Sequence, residues 1–191
     1  MLGPSAFNEL LIRWNGLEAA GFAGWEFLPG MRFGERAAWW RDGVERRDPH
    51  EGLDLCWFRN LDGGRARLHA GARVPTVWAG EVVSLADDHL GVSVFVGHDA
   101  RDRRGWRLHS IYGHLSPRPG LVPGTPLPEG GEIGAVAETS RARRPVPPHL
   151  HLTLALIDPA GGPACLAWEA LSDARRVLLL DPLPIVAGEG R

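Results

Sequence analysis

From residue 53 to residue 156 the sequence is a succession of short apolar runs cut by turn residues, and that punctuation limits the fold more than any other feature. The runs cover 53–58, 74–78, 81–85, 91–96, 106–112, 133–136 and 150–156, with Asp62-Gly63-Gly64, Asp87-Asp88 and Pro128-Glu129-Gly130-Gly131 among the breaks. Apolar segments this short, bounded by Gly, Pro and Asp, read as strands. No helical segment lies between them to carry a parallel crossover, so the expected core is mainly β and antiparallel.

The flanks read differently. Phe7, Leu10, Leu11, Trp14 and Leu17 recur at helical spacing, which predicts an amphipathic helix over 5–20 with Ser5 as N-cap and Gly21 as its stop. Residues 21–49 carry Trp25, Phe27, Leu28, Met31, Phe33, Trp39 and Trp40 among Gly and Pro, as expected of an aromatic loop with short strands that walls or lids a cleft. Residues 168–180 predict a second helix, closed by Asp181-Pro182-Leu183-Pro184 before a Gly-rich frayed tail. The expected organisation is an extension over 1–45, a central domain over 46–160, and a C-terminal helix and tail over 161–191 packed on it. At 191 residues, 44% hydrophobic and 23% charged, the chain is long enough and apolar enough to bury its own core.

Composition removes several function classes. All 21 basic residues are Arg, so lysine-dependent chemistry such as a Schiff base or a phosphate-loop lysine is excluded. A net charge of −2 with no basic stripe argues against a nucleic-acid partner. Cys56 and Cys165 form no CxxC motif and spell out neither a redox pair nor a thiolate metal cage, although a bridge between them stays open. No apolar run is long enough to span a membrane. The opening residues, interrupted by Asn8, Glu9 and Arg13, do not read as a secretory leader, and this points to the cytoplasm.

Eight histidines, at 50, 69, 89, 98, 109, 114, 149 and 151, supply the candidate chemistry. In Pro148-His149-Leu150-His151-Leu152 the alternation puts both imidazoles on one strand face, which suits a metal site or an edge strand with two solvated rings. In His50-Glu51-Gly52-Leu53-Asp54 a His and an Asp stand four apart. On a helix this would imitate the zinc-protease HExxH pattern, but Pro49 and Gly52 oppose a helix. On a straight strand the two Cα atoms would be roughly 13 Å apart, too far for one ion, so a shared ion requires a bend at Gly52. A simple Asp-capped turn is the alternative. His114, in Tyr112-Gly113-His114-Leu115, follows a strand and could join them. Three such groups can hold a catalytic zinc while further imidazoles carry protons and meet oxyanion charge.

The order HxGxD (His50 to Asp54), YxHL (Tyr112 to Leu115) and HLH (His149 to His151) resembles the lysostaphin and LytM type zinc endopeptidases of peptidoglycan. Gly71-Ala72-Arg73-Val74-Pro75 with Gly80-Glu81-Val82-Val83, and Val122-Pro123-Gly124 with Gly131-Glu132-Ile133-Gly134, resemble that family's hairpins, so the likeness runs from about residue 46 to 156. It implies an antiparallel lysostaphin-like peptidase domain, and the N- and C-terminal helices read from the apolar spacing are then peripheral to it. It implies Zn2+ held by His50, Asp54 and His151, a peptidoglycan stem or cross-bridge peptide as substrate, and catalytic roles for His114 and His149. His149 would take the proton of the attacking water, and His114 would meet the oxyanion or orient the water. Protonation of His50 and His151 would then release zinc and cost activity in acid.

The chain departs from the family before HLH, where Arg141, Arg143 and Arg144 replace a Gly- and Ser/Thr-rich turn. These arginines read either as partners of stem-peptide carboxylates or as a solvated charge cluster. The different turn withholds any claim to glycyl cross-bridge specificity. Cys56 reads as a buried, inert thiol. The implied substrate lies in the cell envelope, which conflicts with the cytoplasmic reading of the N-terminus. The function class outside catalysis is a peptidoglycan-binding or hydrolase-regulating module of the same fold.

Overall fold

The computed structural model describes residues 4–140 and 146–187, so Arg141, Arg143, Arg144 and the last four residues lie outside the described residues. Helix α1 spans Phe7–Trp14 and buries Phe7 and Leu11 completely. It is shorter than its apolar stripe suggests. Gly16 turns left-handed at φ +64°, and the Asn15 side chain donates to the carbonyls of Leu11 and Arg73 while accepting the Arg73 N–H. Leu17 keeps its place in the core from the following turn. Ala6 occupies the cap position, and the Ser5 hydroxyl still accepts the Phe7 N–H at 3.1 Å.

Strands β1 (Phe22–Glu26), β2 (Leu53–Leu55), β3 (Trp57–Asn60) and β4 (Arg65–Arg67) follow. After them come β5 (Arg73–Pro75), β6 (Gly80–Asp87), β7 (Val92–Arg101) and β8 (Arg107–Pro117). The chain continues with β9 (Pro126–Leu127), β10 (Glu132–Val136), β11 (Leu150–Ile157) and β12 (Val177–Leu180). A short helix α2 spans Leu183–Ala187. The main sheet runs β12-β11-β8-β7-β6-β9, with β2 on the front of β11 and β10 bridging β8 to β5. β1, β3 and β4 form a small second sheet, and the pairings of both sheets are antiparallel. The structure is the mainly β, antiparallel architecture the punctuation predicts, with helices near both termini.

The central strands are covered on both faces, which is why 92–96 and 110–115 are nearly unbroken in burial rather than alternating. One face packs Val94, Val96, Tyr112, Leu152 and Ile133 against α1; the other packs Phe95, Ile111, Ala155 and Ile157 under the C-terminal segment.

That segment corrects the second predicted helix. Residues 168–180 form a short 3-10 turn, Trp168–Ser172, followed by β12, which pairs Val177 to Leu180 with Ile157 to Leu154. The Asp173 carbonyl accepts the Arg176 and Val177 N–H groups and its side chain accepts that of Arg175, which turns the chain. Val177-Leu178-Leu179-Leu180 then finds an open sheet edge. The helical alternative for the first motif is also excluded: 53–55 and 57–60 are strands.

Candidate metal centre and active site

The pairing of β2 with β11 sets Asp54 opposite His151. Gly52 bends the chain just before β2 and lies so close to β11 that a Cβ there would strike the Leu152 carbonyl and lie within 2.7 Å of His151 Nε2. This close approach brings His50 over the same pair. Backbone bonds from Gly34 N–H to the His50 carbonyl, His50 N–H to the Glu35 carbonyl and Asp54 N–H to the Met31 carbonyl fasten the segment to the preceding loop.

Three buried atoms converge. His50 Nε2 is 3.1 Å from His151 Nδ1 and 3.3 Å from Asp54 Oδ1, and His151 Nδ1 is 2.8 Å from Asp54 Oδ1. Ligand atoms held tetrahedrally at about 2.0–2.1 Å from zinc would be spaced by about 3.3 Å. The opposite sides of these groups are already used. His50 Nδ1–H donates to the Arg32 carbonyl at 3.1 Å, leaving Nε2 as a lone pair. His151 Nε2 meets the Thr153 hydroxyl at 2.8 Å. Asp54 Oδ2 accepts the Trp39 indole N–H at 2.6 Å and an Arg46 N–H at 3.2 Å, so Oδ1 is the oxygen turned to the histidines. Lone pairs of His50 and Asp54 facing each other this closely suit a cation or a shared proton, and this donor set is one that could hold a metal.

His149 and His114 complete the cluster. His149 Nδ1–H donates to the Pro147 carbonyl at 2.8 Å, which leaves Nε2 bare and 3.8 Å from Asp54 Oδ1. The His114 ring lies 4.7 Å from that of His149 and 5.9 Å from that of His151, centre to centre. His114 sits on an irregular stretch of β8, where Val92 pairs with Leu115 but Val94 with Tyr112. Its φ is +63°, and among the described residues it is the one non-glycine with a positive φ. All five predicted site residues are therefore gathered in one place.

Burial governs the electrostatics. Loss of water pushes the His149 imidazole down to about 4 and lowers that of His151, so both are neutral near pH 7. Burial opposes charge on Asp54 too, but His50, His151 and His149 outweigh it and hold the carboxyl well below the usual carboxylate range. Burial, then the Asp54 charge, pushes the Cys56 thiol up to about 12, as expected of an inert thiol. Cys56 and Cys165 are both unbridged.

A cavity of about 390 Å³ opens on the cluster, lined by His114, His149 and His151 with Trp40, Arg46 and Trp168. A second, of about 680 Å³, shares Glu51 and Trp168 with it. The aromatic loop divides its labour. Trp39 stands edge-on to His149 and Trp40 lies under the Arg46 guanidinium at the cleft, whereas Trp25 packs on Phe22 and Phe58 in the small sheet.

Sequence reasoning missed Asp88, Arg46 and Trp168, and gave His89 no role beyond its place among the eight histidines. Asp88 carries His114 on its carboxylate at 3.0 Å, yet it stands in an Asp-Asp pair that reads only as a turn. Trp168 faces the His151 ring at 5.2 Å from a segment that reads as helix.

No family model matches the chain, and no curated protein sequence matches it. Solved structures do. The catalytic domain of the antimicrobial peptidase lysostaphin from Staphylococcus simulans superposes with a TM-score of 0.50 at 17% identity, covering 82% of this chain and 90% of that one. CbpA from L. salivarius REN gives 0.48 at 17%, over 85% and 88%. A putative peptidase M23 from Pseudomonas aeruginosa gives 0.39 at 27%, over 75% and 56%. The chain has the lysostaphin-type fold.

Proposed function

We propose that this chain is a zinc-dependent endopeptidase that hydrolyses peptide bonds in the stem or cross-bridge peptides of peptidoglycan. The observation that carries the reading is the triangle of His50 Nε2, Asp54 Oδ1 and His151 Nδ1, three buried atoms 2.8 to 3.3 Å apart whose partner atoms are committed elsewhere. These three would hold the ion. Zinc held there would supply a Lewis acid able to polarise a scissile carbonyl and to acidify water.

The remaining roles belong to side chains. His149, neutral through burial and bare at Nε2, accepts the proton of the attacking water. His114 presents its ring beside it, where the carbonyl oxygen gains negative charge. Trp40, Trp168 and Val146 wall the cleft, exclude water and give an extended peptide an apolar bed. The substrate class rests on the order of HxGxD, YxHL and HLH, and on the fold shared with a protein described as an antimicrobial peptidase.

Elemental analysis of the purified protein should find one zinc per chain, and chelation should abolish cleavage of murein peptides followed by mass spectrometry. His149→Ala should keep the metal and lose roughly 100-fold or more in turnover. A zinc-loaded protein that cleaves no murein peptide would overturn the reading.

A further inference from the structure

The Asp88 carboxylate is the most heavily hydrogen-bonded side chain near the cleft, and the chemistry above does not use it. It lies in the turn between β6 and β7 with its side chain 5% exposed. Oδ1 accepts the N–H groups of Leu90 and Gly91 at 2.8 Å each and His114 Nδ1–H at 3.0 Å. Oδ2 accepts the Ser93 hydroxyl at 2.7 Å and the His114 backbone N–H at 3.0 Å. The Ser93 oxygen in turn accepts the Trp168 indole N–H at 2.7 Å, and the Trp168 ring stands against His151.

We propose that Asp88 is the positioning residue of the active site, holding His114 by backbone and ring together so that Nε2 alone is presented to the cleft. This rests on the peptidase reading. The two contacts to one residue form a clamp. The backbone contact holds His114 in the left-handed conformation that its φ of +63° describes, a state that a non-glycine residue rarely adopts. The ring contact commits Nδ1 as the donor and leaves Nε2 for the reaction. Among the described residues no hydrogen-bond partner takes Nε2.

The clamp also meets a charge requirement. A His114 that donates from Nε2 to a developing oxyanion while Nδ1–H stays on Asp88 carries a positive charge, and the carboxylate balances it. His149 has no carboxylate on its Nδ1 side, where the N–H meets the neutral Pro147 carbonyl, and faces Asp54 Oδ1 only from Nε2, at 3.8 Å. The two cleft imidazoles thus have different supports. Ser93 and Trp168 keep the carboxylate from rotating and tie its orientation to the ring that covers His151.

The test is nitrogen NMR of His114 in the whole protein, combined with kinetics of Asp88→Asn and Ser93→Ala. The wild type should show Nδ1 carrying a proton that exchanges slowly with water. Asp88→Asn should keep its zinc and its KM within a few-fold, lose roughly 100-fold or more in kcat, and lose the Nδ1 proton signature. Ser93→Ala should lose roughly tenfold in kcat as the carboxylate loosens. An Asp88 that serves only its turn predicts a lower melting temperature with kcat and the nitrogen spectrum of the folded protein unchanged, and that result overturns the inference. If Asp88→Asn does not fold, the wild-type spectrum decides, since an unprotonated Nδ1 overturns it equally. A clamped His114 in a protein that cleaves no peptide overturns the peptidase reading instead.

Discussion

Asp54 treats its two oxygens unequally, and the difference tells what a single residue contributes here. Oδ2 is held by the Trp39 indole and Arg46, while Oδ1 points at three imidazoles. Partners of this kind orient a metal-ligating carboxylate, and losing one typically weakens metal affinity by about 10–100-fold. Trp39→Phe keeps the ring and removes the N–H. Titration against a chromophoric chelator should therefore show zinc binding weakened by about that factor, while the unfolding midpoint of the metal-free protein changes little. Unchanged affinity would show that Arg46 alone orients the carboxylate. His50, Asp54, His114, His149 and His151 were legible in the sequence because each sits in a short motif. Trp39 was legible only as part of the aromatic loop walling a cleft, and Asp88 only as a turn residue, because their bonds to Asp54 and His114 span 15 and 26 residues.

The same contrast recurs at the level of elements. Strands flanked by Gly and Pro were readable because turn chemistry is local. β12 was not, since Val177-Leu178-Leu179-Leu180 becomes a strand only through the free edge offered by residues 154–157. Gly52 shows a local signal with a non-local cause. The sequence asks for a bend there, and the structure adds that the bend must pass against β11 with no side chain between. Gly52→Ala would place a methyl group against the Leu152 carbonyl, Thr153 Oγ1 and His151 Nε2, so β2 must move away from β11. Overpacking of this kind costs typically 1–3 kcal/mol. Urea unfolding of the metal-free protein should show a loss of about that size, and zinc affinity should fall with it, because Asp54 and His50 ride on the displaced segment. A variant with normal stability and normal zinc affinity would mean that β11 yields instead.

For the molecule as a whole, folding withdraws several imidazoles from water, and this makes stability depend on pH even without metal. Burial lowers His109 and His149 from 6.5 to about 4, and it lowers His98 and His151 in the same direction. The unfolded chain therefore binds more protons than the native one between those values. Stability is at its full value above about pH 6.5 and is lost as the pH falls through 6.5 towards about 4, where the folded groups protonate as well. Asp54 and Asp88 act in the same sense at lower pH. Held below the usual carboxylate range, they contribute above an unfolded value of 3.8 and add their own loss only below it. Thermal melts of the metal-free protein should be flat above about pH 7 and then decline steadily to about pH 4. His109 separates this effect from the proposed metal centre: among the described residues its ring hydrogen-bonds only the Arg107 carbonyl, at 2.9 Å. His109→Gln should flatten the acid slope while zinc affinity at neutral pH is unchanged, whereas an unaltered slope would mean that the other buried histidines carry the acid sensitivity. Zinc needs its imidazole ligands unprotonated, so the rise in melting temperature on adding metal should itself shrink over the same interval.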